Sequence, residues 1–460
     1  MRMKIIFVSL CFAILIHLSA GNKTESSVYP AWVALDYKSN PNNILISIYK
    51  KRNTTPHIPS PVDMALESFP LIDGHNDLAF LLYSKLKNNI TSFNFNVNLK
   101  YKPGWEKSHT DIPRLRQGRV GGQFWSAFVF CESQYKDAVA KTLEQIDVIK
   151  RLIDKNSEHL QFAATSDGIL DAFKNGKIAS LIGIEGGHSI DSRLGVLRMY
   201  YELGVRYLTL THSCDVPWAT SSTKEDDDLI AVGRKLTTKV GLTEFGKKII
   251  LEMNRLGMMV DLSHVSKLVM NDALTTSVAP VIFSHSSAYC LFKHDRNVHD
   301  DILRKLKQNR GIIMITFYPG YVGGGEYGDL GIVVAHINHV VDVIGTDNIG
   351  LGGDFDGIPK TLIGLEDVSK YPDLLEALFE SNPERWTQRN IEKLIGRNLV
   401  RVFREVEKVK KRLSFAEPLQ DVISKDDFNL VKRNDIWVCR TSYEKKTYDR
   451  LIEKMNKTHK

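Results

Sequence analysis

Short hydrophobic runs alternate with longer amphipathic stretches over most of this chain. The short runs predict strands at residues 69–73, 124–130, 178–184, 207–211, 258–261, 281–283, 312–317 and 349–351. Hydrophobic positions spaced every three or four residues predict helices, notably at 138–154, 194–203, 242–256, 301–308 and 333–344. Alternation of strands and helices is typical of a parallel sheet covered by helices, which places the protein in the α/β class.

The number of strands favours a closed sheet. Eight strands separated by helices predict a (β/α)8 TIM barrel rather than an open, doubly wound sheet. A glycine-rich G-x-G-x-x-G turn, which a dinucleotide-binding fold places after its first strand, is missing here.

The two ends of the chain differ from this pattern. Residues 1–21 resemble a signal peptide, because Arg2 and Lys4 precede a hydrophobic run at 5–18 and the small residues at 19–21 follow it. Residues 22–62 are polar and interrupted by proline, which predicts an N-terminal extension. The barrel domain is predicted at 63–410, and a charged C-terminal tail at 411–460.

Composition and charge narrow the classes of partner. The 460 residues are 43% hydrophobic and 25% charged, as in an ordinary globular protein. The net charge of +7 is concentrated in residues 401–460, which hold 16 Lys and Arg against 10 Asp and Glu. A nucleic-acid-binding protein carries its basic stripe on the fold, so we expect no nucleic-acid partner. We find no membrane-spanning segment after the predicted leader and no hydrophobic tail that would signal a lipid anchor. We therefore expect a secreted protein.

Export would expose the chain to glycosylation and oxidation. Four N-x-[ST] sequons predict N-glycosylation, at Asn22, Asn53, Asn89 and Asn456. Once the leader is removed, the cysteines are Cys131, Cys214, Cys290 and Cys439, which allow three pairings.

Titratable residues follow six of the predicted strands. Barrel enzymes carry their chemistry at the carboxyl ends of strands, and here these ends carry DGHND (73–77), EGGH (185–188), THSC (211–214), DLSH (261–264), SHSS (284–287) and GGDFD (352–356). A single histidine after a strand is more often structural, but joint occurrence at successive strand ends predicts a metal site. His188, His294, His299, His336 and His339 lack this placement and are interpreted as structural or solvated.

The residue types suit two divalent metal ions. His75 and Asp77 are two positions apart at one strand end, so both side chains project to the same side. His264 and His285 supply a second imidazole pair from adjacent strands. Glu185 is the natural bridge, because a carboxylate has two oxygens and can bind two ions about 3.5–4 Å apart.

The sequence resembles the membrane (renal-type) dipeptidases, which are zinc enzymes of the metal-dependent amidohydrolase group. The similarity runs over about residues 63–410. It includes LIDGHND (71–77), GIEGGHS (183–189), RYLTLTHSC (206–214), NRLG (254–257), DLSHVS (261–266), FSHSSA (283–288), RNV (296–298), GGDFDG (352–357) and GLEDVSKYP (364–372).

The resemblance implies two zinc ions that share Glu185. His75 and Asp77 would complete the ligands of one ion, and His264 and His285 those of the other. A hydroxide that bridges the two ions would attack the peptide bond of a dipeptide.

The resemblance also implies three roles around the substrate. His212 would stabilise the oxyanion, Arg296 would bind the substrate carboxylate, and Asp354 would transfer the proton.

The cysteines match the family only in part. The resemblance implies a disulfide between Cys131 and Cys214. The segment around Cys439 is similar to the family's inter-subunit cysteine, which predicts a disulfide-linked homodimer. Cys290 does not match, so its thiol either stays reduced or pairs with Cys439.

Two other functions remain open from sequence. One is a barrel hydrolase of the same group that acts on cyclic amides or esters. The other is a secreted binding protein on an inactive enzyme scaffold.

Overall fold

Eight parallel strands of the chain close into a barrel. The computed structural model describes residues 59–222, 241–325, 327–424 and 426–427, which belong to one compact unit that begins at Pro59. Its strands are β1 (Leu71–Asn76), β2 (Val120–Phe128), β3 (Leu160–Phe162), β4 (Ile178–Glu185), β5 (Val205–Thr209), β6 (Met259–Asp261), β7 (Ile282–Ser286), β8 (Ile312–Ile315) and β9 (Ile349–Leu351). They pair in the order β2-β1-β9-β8-β7-β6-β5-β4, and β2 also pairs with β4, which closes the ring. The predicted (β/α)8 TIM barrel is confirmed.

The remaining strand, β3, lies outside the ring. It pairs with the first residues of β4, Ile178 to Ser180, and β5 takes over the same edge of β4 from Ile182 onward. The sequence analysis did not predict β3, because three residues are too few to show a strand period.

Helices surround the barrel. They are α1 (Pro61–Ser68), α2 (Leu78–Leu86), α3 (Ile112–Gln117), α4 (Ala138–Lys155), α5 (Ser166–Lys174), α6 (Leu194–Glu202), α7 (Glu244–Leu256), α8 (Lys267–Thr276), α9 (Asp300–Asn309), α10 (Pro319–Val322), α11 (Leu330–Ile344), α12 (Tyr371–Ser381), α13 (Gln388–Glu392) and α14 (Asn398–Arg412). A π-helical turn, Lys393–Arg397, separates α13 from α14. All five predicted helices named above are present, with small shifts of their ends.

Helix α7 shows how local sequence sets an element. Thr243 caps its first turn by accepting a hydrogen bond from the backbone N–H of Gly246. Gly257 ends the helix in the left-handed conformation, with φ of 82°. Its hydrophobic residues recur at helical spacing and are buried, among them Phe245, Ile249 and Met253.

The predicted ends of five strands were wrong by two to four residues: β7 ends three residues after its predicted end, β8 ends two residues before it, and β1, β2 and β5 are also shifted. β1 was predicted at 69–73 but runs from Leu71 to Asn76, which places His75 inside the strand. β2 was predicted at 124–130 but begins at Val120. Its first residues include Gly121, where a Cβ would lie 2.7 Å from the Cβ of Pro70. Glycine is needed there for close packing, so the start of the strand lacks the hydrophobic side chains that would have predicted it. β5 begins and ends two residues before its predicted bounds.

Several other predictions can be placed. Cys131 and Cys214 form a disulfide with a Cα–Cα distance of 6.0 Å, joining the loops after β2 and β5. Asn89 and Cys290 are exposed. Within the described ranges, no helix is both long and hydrophobic enough to cross a bilayer. Residues 1–21, Asn22, Asn53, Cys439 and Asn456 lie outside the described residues.

Candidate metal centre

The predicted site residues converge at the carboxyl ends of the strands. His75 and His285 lie in β1 and β7, and Glu185 is the last residue of β4. The other members lie in loops directly after strands: Asp77 after β1, His212 after β5, His264 after β6 and Asp354 after β9. These seven residues therefore come from six strands and meet at one end of the barrel.

The Glu185 carboxylate faces histidines on two sides. Its Oε2 lies 3.5 Å from His75 Nε2, whereas its Oε1 lies 2.9 Å from His264 Nε2 and 3.3 Å from His285 Nε2. His264 Nε2 and His285 Nε2 are 3.0 Å apart. One carboxylate is thus shared between His75 on one side and His264 with His285 on the other.

Two aspartates approach His75. Its Nε2 lies 3.1 Å from Asp77 Oδ2 and 4.0 Å from Asp354 Oδ1. One ligand atom from each of His75, Asp77 and Asp354 lies within 4.8 Å of the others, a spacing that suits a metal ion. Asp354 therefore lies near the metal ligands rather than apart from them.

The carboxylates create a demand for positive charge. Burial raises the pKa of Asp77, and it raises the pKa of Asp354 well above its ordinary value, with Asp77 and Glu185 adding to the effect. Burial acts to lower the pKa of His75, but Tyr207, Glu185 and Asp77 outweigh it and raise that pKa well above its ordinary value. A divalent cation supplies this positive charge more directly than a proton on imidazole.

The other imidazoles are kept neutral. Burial lowers the pKa of His264 and of His285 well below the ordinary value. Burial also lowers the pKa of His212 to about 4, against the opposing effect of Glu185. Neutral imidazole has the lone pair that metal coordination requires.

Neighbouring residues orient two of the ligand imidazoles. His75 Nδ1 is 3.0 Å from the hydroxyl of Tyr207, which leaves Nε2 turned to the site. His285 Nδ1 is 2.8 Å from Ser284 Oγ, and that hydroxyl donates to Asp261 Oδ2 at 2.6 Å. Such outer partners fix the tautomer and the ring direction of a metal-binding histidine.

Arg296 is a buried cation beside the ligands. Its guanidinium donates to His285 O at 3.1 Å and to Ser286 Oγ at 3.3 Å, and it lies over the ring of Tyr321 at 4.9 Å. The residue is only 4% exposed, and its Nε has no hydrogen-bond partner among the described residues. No described carboxylate forms an ion pair with it, so an anion would complete its contacts.

The donor set fits a metal centre. Asp77 Oδ1 is buried without a hydrogen-bond partner among the described residues, which is costly for a carboxylate oxygen unless a cation binds it. A Cβ at Gly357 would lie 2.2 Å from Asp77 Oδ2 and 2.6 Å from Asp354 Oδ1, so glycine leaves these carboxylates their space. Neutral nitrogens and carboxylate oxygens are ligands typical of zinc.

Sequence reasoning missed the supporting residues. Tyr207 and Asp261 were read only as parts of motifs, yet both are buried and hold ligand-bearing groups in place. The signal for Tyr207 lies on the neighbouring strand, because any Cβ at Gly183 would lie 2.0 Å from the Tyr207 ring. His109 and Asp356 exchange hydrogen bonds of 2.7 and 2.9 Å and brace the loop that carries Asp354.

The histidines interpreted as structural lie outside these metal groups. His188 Nε2 is 2.8 Å from Val129 O, and His336 is buried in α11. His299 stacks on Tyr289 with a centroid distance of 3.8 Å.

Comparison with known proteins identifies relatives. The family model described as membrane dipeptidase, peptidase family M19, matches residues 62–417. A metallopeptidase of Rhodobacter sphaeroides, solved with a phosphinate mimic of the dipeptide L-Ala-D-Ala, is 22% identical with a TM-score of 0.64, over 74% of this chain and 99% of that one. The probable dipeptidase PvdM of Pseudomonas aeruginosa is 18% identical with a TM-score of 0.65, over 76% of this chain and 98% of that one. The structural similarity concerns the fold, and the family match spans most of the chain.

Proposed function

The chain belongs to the membrane dipeptidase family, and from that membership we propose that it hydrolyses dipeptides at a centre of two zinc ions. Family membership makes it a metallo-dipeptidase, a hydrolase. Beyond family membership, we propose the identity of the metal as zinc, the presence of two ions, the roles of the site residues, and secretion of the enzyme. The observation that carries it is the buried guanidinium of Arg296, which donates to the backbone oxygen of His285, while the imidazole of His285 contacts the shared carboxylate of Glu185.

The ligands divide around Glu185. His75 and Asp77 with Glu185 Oε2 would hold one zinc ion, and His264 and His285 with Glu185 Oε1 the other. Bound there, the two ions would polarise a carbonyl and make a water molecule nucleophilic near neutral pH.

The remaining residues act on the substrate itself. Arg296 binds the terminal carboxylate through a guanidinium fork, which fixes the scissile carbonyl one residue away. His212, neutral because burial lowers its pKa to about 4, donates a hydrogen bond to the developing oxyanion. Asp354, whose pKa burial raises, holds the proton and passes it to the leaving amine.

Substrate length provides the test. We compare a dipeptide, its C-terminal amide and the matching tripeptide, with unmodified enzyme and with Arg296→Ala. The amide leaves a buried guanidinium unpaired, at a cost of about 2–5 kcal/mol, so its turnover should fall tens- to thousands-fold. The tripeptide should fall similarly, because its carboxylate lies one residue too far from Arg296.

Arg296→Lys is the matched control, since it keeps the charge without the fork and should retain more activity than Arg296→Ala. Comparable hydrolysis of the amide, or an unchanged Arg296→Ala enzyme, would remove Arg296 from the site. The way in which the site selects its substrates would then be open.

We also propose that the enzyme is secreted and glycosylated. The leader-like residues 1–21 and the disulfide between Cys131 and Cys214 are typical of an exported chain. Asn89 is exposed in its sequon, so the glycosylation machinery can reach it. Expression in a secreting cell should deliver the protein to the medium, and Asn89→Gln should remove one glycan mass. Retention inside the cell would contradict the proposal.

A further inference from the structure

A cavity lies at the opposite end of the barrel from the candidate metal centre. Its volume is about 1030 Å³, and it is lined where α9 ends, where β9 begins, and around the π-helical turn before α14. Arg310 precedes β8 and Asn348 precedes β9, so the cavity is at the amino-terminal ends of the strands. The metal ligands are at the carboxyl ends, which separates the two sites by the length of the barrel.

The walls of this cavity are strongly basic. The charged lining residues are six cations, Lys307, Arg310, Arg389, Lys393, Arg397 and Arg401, and two carboxylates, Asp347 and Glu392. Each carboxylate is already paired, Asp347 with Lys393 at 2.7 Å and Glu392 with Arg397 at 2.7 Å. Arg310 pairs with Glu405 outside the lining at 2.9 Å.

Three cations remain without a carboxylate partner among the described residues: Lys307, Arg389 and Arg401. Arg401 is held by main-chain carbonyls, with bonds of 2.6 Å to Arg310 O and 2.7 Å to Asp347 O. These bonds fix the direction of its guanidinium without neutralising the charge. Lys307 and Arg389 are exposed and can reach a ligand in the cavity.

The backbone is irregular at the same place. The π-helical turn Lys393–Arg397 lies in this wall, and π turns often occur at functional sites. The turn also carries Gly396, where a Cβ would lie 2.4 Å from Pro70 O, so the chain packs tightly against the base of β1. The wall is therefore rigid on its inner side, while its charged side chains face the cavity.

We propose that this cavity binds a small organic anion that carries two or more phosphate or sulfate ester groups. Three unpaired cations match more than one anionic group, and the guanidinium fork binds the oxygens of phosphate or sulfate in pairs. The volume suits a molecule of sugar or nucleotide size rather than a single inorganic ion. This binding is independent of the dipeptidase site.

The test measures binding to the metal-loaded enzyme by calorimetry. The probes are fructose 1,6-bisphosphate and fructose 1,6-disulfate, which differ only in the ester groups, with inorganic phosphate for comparison. We expect saturable binding of one probe molecule per chain. The affinity should be at least about tenfold higher for a probe with several anionic groups than for inorganic phosphate. Tighter binding of the disulfate assigns sulfate esters as the natural class, and tighter binding of the bisphosphate assigns phosphate esters.

Two double variants separate the cavity from general surface charge. Lys307→Ala with Arg389→Ala should weaken binding at least about tenfold, because both side chains are unpaired. Lys411→Ala with Arg412→Ala removes the same charge from the far end of α14, and it should leave the affinity within about twofold. Both variants should hydrolyse dipeptides at the unmodified rate, which checks the fold.

Three results would overturn the proposal. They are no saturable binding of either probe, equal weakening in both double variants, and unchanged binding in the cavity variant. Arg389→Glu is a further test of the cavity. Its reversed charge should abolish binding of the probes, whereas neutralisation of the cations should only weaken it.

Discussion

The position of His212 fits two chemical roles, metal ligand and hydrogen-bond donor. One ligand atom from each of His212, Glu185 and His264 lies within 4.8 Å of the others, and the His212 and His264 rings are 4.3 Å apart. His212 also contacts Phe128, with ring centroids 4.6 Å apart. Metal content therefore distinguishes the two roles.

Replacement of Glu185 and of His212 should have different effects on metal content. Glu185→Gln removes the anionic ligand that two ions share, so both metal content and turnover should fall sharply. His212→Ala should keep the metal and lose about 10²–10³ in rate, the usual effect of deleting one oxyanion donor. Elemental analysis and dipeptide turnover measure the two effects. Equal metal loss in both variants would make His212 a ligand.

Whether a residue of the site could be predicted from the sequence depended on the chemistry of its side chain. The convergence of one set of residues could be predicted because side chains able to bind a metal rarely occur together at successive strand ends: His75, Asp77, Glu185, His264 and His285. Tyr207 could not, because a buried tyrosine in a hydrophobic strand looks like an ordinary core residue. Its role depends on the direction of one hydroxyl, which only three-dimensional packing defines.

At the scale of elements, strand β5 holds a ligand of strand β1. The Tyr207 hydroxyl contacts His75 Nδ1 at 3.0 Å from inside the barrel. Tyr207→Phe should therefore weaken metal affinity about 10–100-fold, because His75 loses its orienting partner. Competition with a chelator measures this.

Tyr200→Phe is the matched control. Tyr200 is equally buried and donates to Ser189 O at 2.9 Å, but it lies on α6. It should destabilise the fold slightly and leave metal affinity unchanged. The role of Tyr207 would be disproved by equal metal affinity in Tyr207→Phe and the unmodified enzyme.

Helix α11 carries a histidine that requires its neutral form. His336 Nδ1 accepts the N–H of Ala288 at 3.1 Å, and its Nε2 lies 3.0 Å from Val322 O, so a second proton would break the first bond. Burial lowers the pKa of His336 to about 4. The unfolded chain, with an ordinary histidine pKa, then binds a proton that the native chain does not. Stability should therefore fall as the pH drops from about 6.5 to about 4.

The predicted slope can be measured in one variant. In His336→Gln, the free energy of unfolding should be lower at pH 7 but should fall less steeply with acidification. Between about pH 6.5 and about pH 4, the unmodified protein should lose at most about 3 kcal/mol more unfolding free energy than the variant. Parallel curves for the two proteins would contradict the neutral-histidine interpretation.

Elements were easier to predict than their ends. Helix α4 was predicted within one residue, since a long amphipathic period defines its length. The end of β1 was not, because Asp73 interrupts the hydrophobic run yet stays in the strand. Its carboxylate accepts hydrogen bonds from Gly353 N at 2.9 Å and His75 N at 3.2 Å, but burial still raises the pKa of Asp73.

At the scale of the whole molecule, one disulfide joins two loops of the catalytic end. Cys131 and Cys214 are 83 residues apart, and Cys214 lies two residues after His212. The loop that carries His212 is therefore tied to the end of β2 as well as to its own strand. The closed barrel was predictable because eight strands were predicted, most of them separated by helices.

A disulfide through Cys439 should join two copies of the chain. The cysteine lies outside the described residues, in a segment that resembles the family's inter-subunit bridge. Non-reducing gels of the secreted protein should show a dimer, which Cys439→Ser converts to a monomer. Cys290→Ser is the control and should leave the dimer intact. A monomeric band for the unmodified protein would favour pairing of Cys290 with Cys439 or reduced thiols.

The Glu185 carboxylate, which faces both groups of nitrogen ligands, has a consequence for how the enzyme would respond to metal supply. On the proposal of two zinc ions, a Glu185 side chain held by one ion would already be oriented toward the second. Loss of either ion would leave the Glu185 carboxylate incompletely neutralised and less firmly held. Occupancy should therefore be cooperative, with molecules either fully loaded or empty. Scarcity of zinc would then lower the number of working enzymes, while each loaded molecule kept its full rate.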